Sequence, residues 1–315
     1  MYILISDYKD QMEPDYTMTT DVILKVAPGA QIAIEPYGTP AFYEALEKAD
    51  GLITAFIPVN EALLEKASHL KCVSQNAAGY SNVDTEALKK RGIELRYIRE
   101  YCTREVAEHA ISMMLALNHS FKKYEKRMEK YHEWQYQKVA PCRTINRQTL
   151  AIFGLGKIGK TTAALAKALG MQIIAVDPFV TKEQAIAAGA SLVTKETALA
   201  QADIIINHMA LTQENYHYFD EEAFAGMKQQ PIFINVGRGG CVEEDALLHA
   251  LDNGMVRAAG LDVLEAENPD MENCPFLHRD NVIVTPHCAF YSEESIKALH
   301  EVSAGNLMEV LAQKS

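Results

Sequence analysis

Three residues far apart in the chain, Arg238, Glu267 and His287, each stand in a short motif downstream of one glycine-rich loop, Gly154-Leu155-Gly156-Lys157-Ile158-Gly159. The loop follows the apolar run Thr149–Phe153 and precedes good helix formers that end at Gly170. Glycines so spaced allow a tight turn and bring backbone N–H groups and a helix N-terminus close to a pyrophosphate. A second apolar run ends in Asp177, about 20 residues on, where a carboxylate accepts hydrogen bonds from adenosine ribose hydroxyls. The same charge repels the extra phosphate of NADP, so the expected cofactor is NAD(H).

Arg238 lies between small residues in Asn235-Val236-Gly237-Arg238-Gly239-Gly240, where its fork can meet a carboxylate. A histidine exchanges a proton near neutral pH, and a neighbouring acid orients it and favours its charged form. Taken singly, these are a turn arginine, a solvated loop acid and a partly buried histidine. Following three successive predicted strands, beside a dinucleotide loop, they hold what hydride transfer to or from an oxygen-bearing carbon needs.

The elements that must position them alternate. Strands are expected at Tyr2–Ile5, Gln31–Ile34, Gly51–Ala55, Lys71–Gln75 and Ile93–Ile98, with helices at Pro40–Ala49, Glu61–Ala67 and Asp84–Arg91. A long helix from about Arg104 to Lys130 comes next, apolar early and charged late. Strands then resume at Thr149–Phe153, Gln172–Asp177, Asp203–Asn207, Ile232–Val236, Ala258–Asp262 and Val282–Thr285, with helices at Thr161–Leu169, Glu243–Asn253 and Glu293–Ala312. Such alternation means parallel sheets covered by helices, with ligands at the strand C-terminal edges.

Composition bounds the partners. With 315 residues, 48% hydrophobic and 23% charged, the chain has room for two globular domains. A net charge of −12 argues against nucleic acid and against anionic membrane surfaces. The six cysteines form no metal-spaced pair, so no metal is expected. The N-terminus reads as a strand and no segment approaches a membrane span, which points to the cytoplasm.

The chain resembles the D-isomer-specific 2-hydroxyacid dehydrogenases over nearly its whole length. The resemblance rests on Ala77–Asp84, Tyr101–His109, the Gly154 loop, Asn235–Gly240, Gly260–Val263 and Thr285-Pro286-His287. It implies an α/β fold of two doubly wound parallel-sheet domains and a homodimer. One is a flavodoxin-like substrate domain split between the chain ends (1–101 and 290–315), the other a Rossmann NAD-binding domain (102–289). His287 resembles the family's proton donor and acceptor, Glu267 its paired acid, and Arg238 the clamp on substrate carboxylate and carbonyl. The backbone at Ala78 and Gly79 resembles the second carboxylate-binding element, with Tyr101 at the substrate. Asp262 is similar to the residue that holds the nicotinamide carboxamide. Gly154, Gly156, Lys157, Ile158 and Gly159 would lie at the pyrophosphate, with Thr103, His208, Val236 and Gly237 lining the cofactor cleft.

The implied activity is reversible reduction of a small 2-oxo acid to its D-2-hydroxy acid. Three departures bear on it, one being Ala77 in place of the usual glycine of the substrate loop. His208-Met209-Ala210-Leu211-Thr212 lacks the family's proline, and the proline expected beside the acid stands at Pro269, leaving Glu265 as a rival to Glu267. Phe56, Ile57, Tyr101, Phe290 and Tyr291 read either as an apolar substrate pocket or as core. No arginine or lysine lies in Gly51–Asn60, where a phosphate-bearing substrate would need one. Tyr101–His109 and Pro286–Ser295 also resemble the C-terminal binding proteins, NAD-sensing corepressors on the same fold, which leaves an NADH-sensing binding protein as the alternative.

Overall fold

Short, mostly apolar runs make the strands of two separate parallel sheets in the computed structural model, which describes residues 1–313. One unit comprises Met1–Tyr101 and the stretch from Ser292 onward, and the other Cys102–Tyr291. The first contains β1 (Tyr2–Ile5), β2 (Gln31–Ile34), β3 (Gly51–Thr54), β4 (Cys72–Gln75) and β5 (Glu94–Tyr97), in the order β2-β1-β3-β4-β5. The second contains β6 (Thr149–Phe153), β7 (Gln172–Val176), β8 (Ser191–Leu192), β9 (Ile204–Asn207), β10 (Ile232–Asn235), β11 (Ala258–Leu261) and β12 (Val282–Val284), in the order β12-β11-β10-β9-β6-β7-β8. These are the flavodoxin-like and Rossmann orders of doubly wound sheets.

Alternation along the strands sorts side chains onto two faces. In the first unit Leu4, Leu52 and Val73 pack with Phe42, Leu46, Leu64 and Leu88 on one face. Ile3, Ile5 and Ile53 pack on the other with Leu307, Met308 and Leu311 of the helix Glu293–Gln313. That helix lies so close that a Cβ at Gly51 would stand 2.8 Å from Leu307 Cδ1. In the second unit Phe153, Phe219, Phe224 and Phe233 form a buried chain of edge-to-face rings over the sheet.

The expected long helix is two. Thr103–Asn118 buries Val106, Ala110, Met113 and Met114, whereas Phe121–Tyr131 buries none of its residues. Ser120 separates them in the left-handed region, φ 56, which ends a right-handed helix outright. The helix expected from Thr161 begins earlier, at Lys157, directly off the glycine loop. The helices Thr17–Val26, Lys182–Ala187, Lys195–Gln201 and Glu221–Ala225 and the two-residue β8 were not expected from the pattern.

Sheet order reverses between β1 and β3 in the first unit, and Asp7 sits there, just past β1. Its carboxylate accepts from Ala55 N–H at 2.8 Å, Phe56 N–H at 2.7 Å and the Thr54 hydroxyl at 3.2 Å. Burial raises its pKa to about 6, although these donors pull the other way. Between pH 3.8 and about 6 the folded chain therefore holds a proton on Asp7 that the unfolded chain gives up. Stability from this group is present below pH 3.8 and is lost as pH rises through 6. Relative to Asp7→Asn, which cannot titrate, the wild type is expected to lose roughly 2–3 kcal/mol between pH 4 and pH 7. Urea unfolding of both proteins across that range measures it, and parallel pH profiles would refute the assignment.

Candidate active site

Parallel strands deliver their C-terminal ends to one edge, and in the second unit the sheet order reverses between β6 and β9, opening a crevice at that edge. The glycine loop leaves β6 there. Gly154 has φ 90, a conformation that side chains rarely adopt, and a Cβ on it would stand 3.0 Å from the His208 carbonyl carbon, just past β9. Gly159 lies so near the turn that its Cβ would be 2.1 Å from the Gly154 oxygen. At Gly156 a Cβ would meet nothing within 4 Å. The loop is thus packed tight beneath and open outward, and Gly156 caps the helix Lys157–Ala168 with no side-chain bond to its first turn. Those N–H groups suit an anion, so the residues fit a dinucleotide pyrophosphate.

Asp177 follows β7. One oxygen accepts from Leu155 N–H at 2.7 Å, fixing the glycine loop, and the other from Phe179 N–H at 2.8 Å. Each carboxylate oxygen keeps a further lone pair for a ribose hydroxyl. His208 turns inward, its Nε2 lying 2.9 Å from the Thr162 hydroxyl, while its Nδ1 is buried with no hydrogen-bond partner among the described residues. Burial drives its pKa down to about 3, so the ring is neutral and adds no positive charge at the loop. Thr103 is the first residue of the helix Thr103–Asn118.

Farther along the same edge, the loop after β10 is wedged between its neighbours. A Cβ on Gly237 would lie 2.8 Å from the Met209 oxygen, and one on Gly239 would lie 1.8 Å from the Leu264 oxygen. Val236 is buried and Arg238 half-buried between them, its Nη1 donating to the Gly237 carbonyl at 2.8 Å. Past β12, His287 Nδ1 lies 3.0 Å from Glu267 Oε2. Because a carboxylate only accepts, this contact places a proton on Nδ1. Burial alone would raise the Glu267 carboxyl; the His287 hydrogen bond and the charges of His287 and Arg238 outweigh it and hold it below the usual range. Arg238, Glu267 and His287 are therefore one electrostatic group.

Glu265, the rival acid, is engaged elsewhere, with the Tyr216 hydroxyl and with His217 Nε2 at 3.0 Å. Motif reading also missed what orients His287. Asp262, 2% exposed, accepts from Cys288 N–H at 2.9 Å, Ala289 N–H at 3.0 Å and the Thr285 hydroxyl at 2.5 Å. Its carbonyl accepts from His287 N–H at 2.8 Å, and His109 Nε2 lies 3.1 Å from the Thr285 hydroxyl. The resulting turn holds His287 at φ 51, left-handed and costly for a non-glycine residue. His109, Asp262 and Cys288 also place one ligand atom each within 4.8 Å of one another, a metal-like grouping that sequence spacing hides.

In the first unit Ala78 and Gly79 follow β4, with Ala78 exposed and Gly79 half-buried. Tyr101 is half-buried beyond β5. Ile57 is fully buried with Leu4 and Leu46, so it belongs to the core; Phe56 is half-buried, and in the other unit Tyr291 is exposed.

The family model for the D-isomer specific 2-hydroxyacid dehydrogenase NAD binding domain matches residues 111–289. The chain is 35% identical over 270 residues to a D-3-phosphoglycerate dehydrogenase of Methanocaldococcus jannaschii, covering 85% of this chain and 51% of that protein. A glycerate dehydrogenase of Methylorubrum extorquens is 34% identical over 278 residues, covering 86% of this chain and 85% of that one. The chain thus spans about half the length of the phosphoglycerate dehydrogenases it matches. Among solved structures, a D-lactate dehydrogenase of Aquifex aeolicus complexed with NAD and lactic acid superposes with TM-score 0.86 at 26% identity, over 99% of this chain and 96% of that one. A glycine loop built for a pyrophosphate, an acid-held histidine on the same sheet edge, and these matches together show that the chain belongs to the D-isomer specific 2-hydroxyacid dehydrogenase family and carries its NAD-binding domain.

Proposed function

We propose that this protein is an NAD-dependent dehydrogenase that reversibly reduces a small 2-oxo acid to its D-2-hydroxy acid. The observation that carries the reading is the 3.0 Å contact of His287 Nδ1 with Glu267, on the sheet edge that bears the glycine loop. Bound NAD(H) supplies or accepts the hydride. Arg238 binds the substrate carboxylate and offsets charge developing on the carbonyl oxygen. His287 gives that oxygen a proton from Nε2 in reduction and takes it back in oxidation. Glu267 favours the charged imidazole and fixes its tautomer. The N–H groups at Ala78 and Gly79 serve a carboxylate, and Tyr101 contacts substrate. Lys157 and Ile158 sit at the pyrophosphate, Thr103, Val236, Gly237 and the His208 backbone line the cofactor, and Asp262 holds the carboxamide as well as the histidine turn.

The favoured substrates are pyruvate-like or branched 2-oxo acids, since Gly51–Asn60 offers no cation for a phosphate. The relatives named above act on glycerate and on 3-phosphoglycerate, and a further one, from Korarchaeum cryptofilum, is a glyoxylate reductase, so the acid panel must include short hydroxylated members. NADH oxidation with glyoxylate, hydroxypyruvate, pyruvate and branched 2-oxo acids tests the reading; binding of NADH without turnover on any of them would overturn it.

His287→Ala is expected to lower kcat about 10²–10⁴-fold while NADH affinity changes less than threefold or so. Glu267→Gln is expected to lose less than that, and Glu265→Gln almost nothing. Steady-state kinetics paired with NADH fluorescence titration separates the two quantities, and a His287→Ala enzyme with normal turnover would refute the proton-transfer role.

Gly159→Ala forces a Cβ toward the Gly154 oxygen at 2.1 Å and is expected to weaken NADH binding at least tenfold or so. Asp177→Asn is expected to narrow the preference for NADH over NADPH by about tenfold, read from kcat/KM with each cofactor. An unchanged ratio would remove Asp177 from cofactor selection.

We place the protein in the cytoplasm as a homodimer. Among the described residues the cysteines form no disulfide, which suits a reducing compartment, and no helix is long and apolar enough to cross a membrane. Phe121, Met128, Tyr131, Trp134 and Tyr136 are exposed on one short stretch, with Trp134 89% accessible, a composition that fits a subunit contact. Sedimentation should give twice the chain mass, and Trp134→Glu with Tyr136→Glu should shift it toward the monomer; a wild-type monomer would refute the assignment.

A further inference from the structure

At the opposite edge of the second unit's sheet, where β11 and β12 begin, lies a cavity of about 200 Å³. Lys122, Lys123, Arg143 and Arg257 line it against a single acid, Asp280. That acid is already taken, since Lys126 Nζ lies 2.6 Å and 2.8 Å from its two oxygens. Arg143 is matched by Asp203 at 2.8 Å. Among the described residues, Lys122, Lys123 and Arg257 have no carboxylate within ion-pairing distance. Lys122 donates to the Val282 carbonyl at 2.8 Å, and Arg257 donates to Gln148 Oε1 at 2.9 Å.

We propose that this cavity is a second ligand site, which binds a small multivalent anion (a phosphate ester or a polycarboxylate) through Lys122, Lys123 and Arg257. Three cations without carboxylate partners converge on a recess, in a chain whose net charge is −12. Cations held in a concave, low-dielectric wall attract each other's counter-ions more strongly than the same groups spread over a surface. Burial, with the charge of Arg143 second, brings the Arg257 guanidinium down to about 10, and its neighbour Asp203 only partly offsets this. An anion in the recess relieves that repulsion. A single phosphate or a citrate-sized molecule fits the volume; a polymer does not.

The site is separate from the active site. Ala258, which lines the cavity, opens β11, and Asp262 follows that strand's far end, about 13 Å away at 3.3 Å per residue. Neither Arg238 nor His287 takes part in it, so this site is independent of the dehydrogenase chemistry.

Calorimetric titration of the full chain with citrate and with pyrophosphate, each against sodium chloride of matched ionic strength, tests it. At least one probe is expected to bind, and Lys123→Glu and Arg257→Gln are each expected to weaken it tenfold or more. Arg238→Ala, which alters the active site, should leave this binding unchanged. NADH titration of each variant checks that it is folded, and Lys123→Glu, on a side chain with no hydrogen-bond partner among the described residues, guards against a misfolded Arg257→Gln. Binding of pyrophosphate alone identifies a phosphate ester as the ligand class, and binding of citrate alone a polycarboxylate. No heat beyond the chloride control, or equal binding by wild type, Lys123→Glu and Arg257→Gln, would overturn the proposal.

Discussion

Asp262 is a nearly inaccessible carboxylate at the end of β11, and the layout of the active edge follows from what that charge demands. A buried carboxylate is tolerated only when donors surround it. Here they are two successive backbone N–H groups, from Cys288 and Ala289, and the Thr285 hydroxyl. All three come from the segment leaving β12, so the segment must wrap around the acid. Wrapping forces His287 into the left-handed region and sends its ring to Glu267. The strain at His287 is small beside the several charge-assisted bonds, each worth roughly 1.5–3 kcal/mol, that require it. The histidine's aim is therefore a consequence of satisfying Asp262, with His109 bracing Thr285 from the neighbouring helix.

The two sheets solve the same topological problem in opposite ways. In each, strand order reverses once and leaves a gap beyond the strand ends. In the first unit Asp7 fills the gap, accepting from the backbone of Ala55 and Phe56 and tying the loop after β3 to the end of β1. In the second unit the gap is kept open. Gly154 and Gly159 let the chain turn back tightly, and Asp177 holds Leu155 from the side, leaving the first turn of the following helix facing outward. One device closes the crevice with a protein charge, whereas the other reserves it for a charge that arrives with the ligand.

Much of this was legible in the residues. Strands were marked by short apolar runs, and β1, β2 and β6 match the expected bounds, while every other expected strand differs by one residue at one or both ends. The glycine loop, Asp177, Arg238 and His287 announced themselves because each follows a strand, and parallel topology sends all strand ends to one side. What escaped had no local signature. Ser120 is an ordinary helix residue by type, and only its φ of 56 divides the expected long helix. Ile57 looks like a pocket residue until the core beneath it is seen. Glu265 and Glu267 differ by two positions in a loop, and only the fold shows that Tyr216 and His217 claim the first. Asp262 was noticed through resemblance alone, because its partners lie more than 20 residues further on.

Charge was the sequence property most open to misreading. A net −12 weighs against a long polyanion, which must touch much of the surface at once. It says little about small anions, because screening confines each charge's influence to about 8–10 Å in physiological salt. Within that range the second unit gathers an excess of cations around Arg257 at one sheet edge, while at the other Arg238 stands with Glu267 and His287. The fold produces both, by gathering residues from separate segments at the two ends of the same strands. Lys122, Arg143, Arg257 and Asp280 are scattered along the sequence and meet only because the helix after Ser120 and the starts of β11 and β12 converge. An acidic protein can thus be built around small anionic ligands, since its excess negative charge lies elsewhere and the strand ends decide where the positive charge collects.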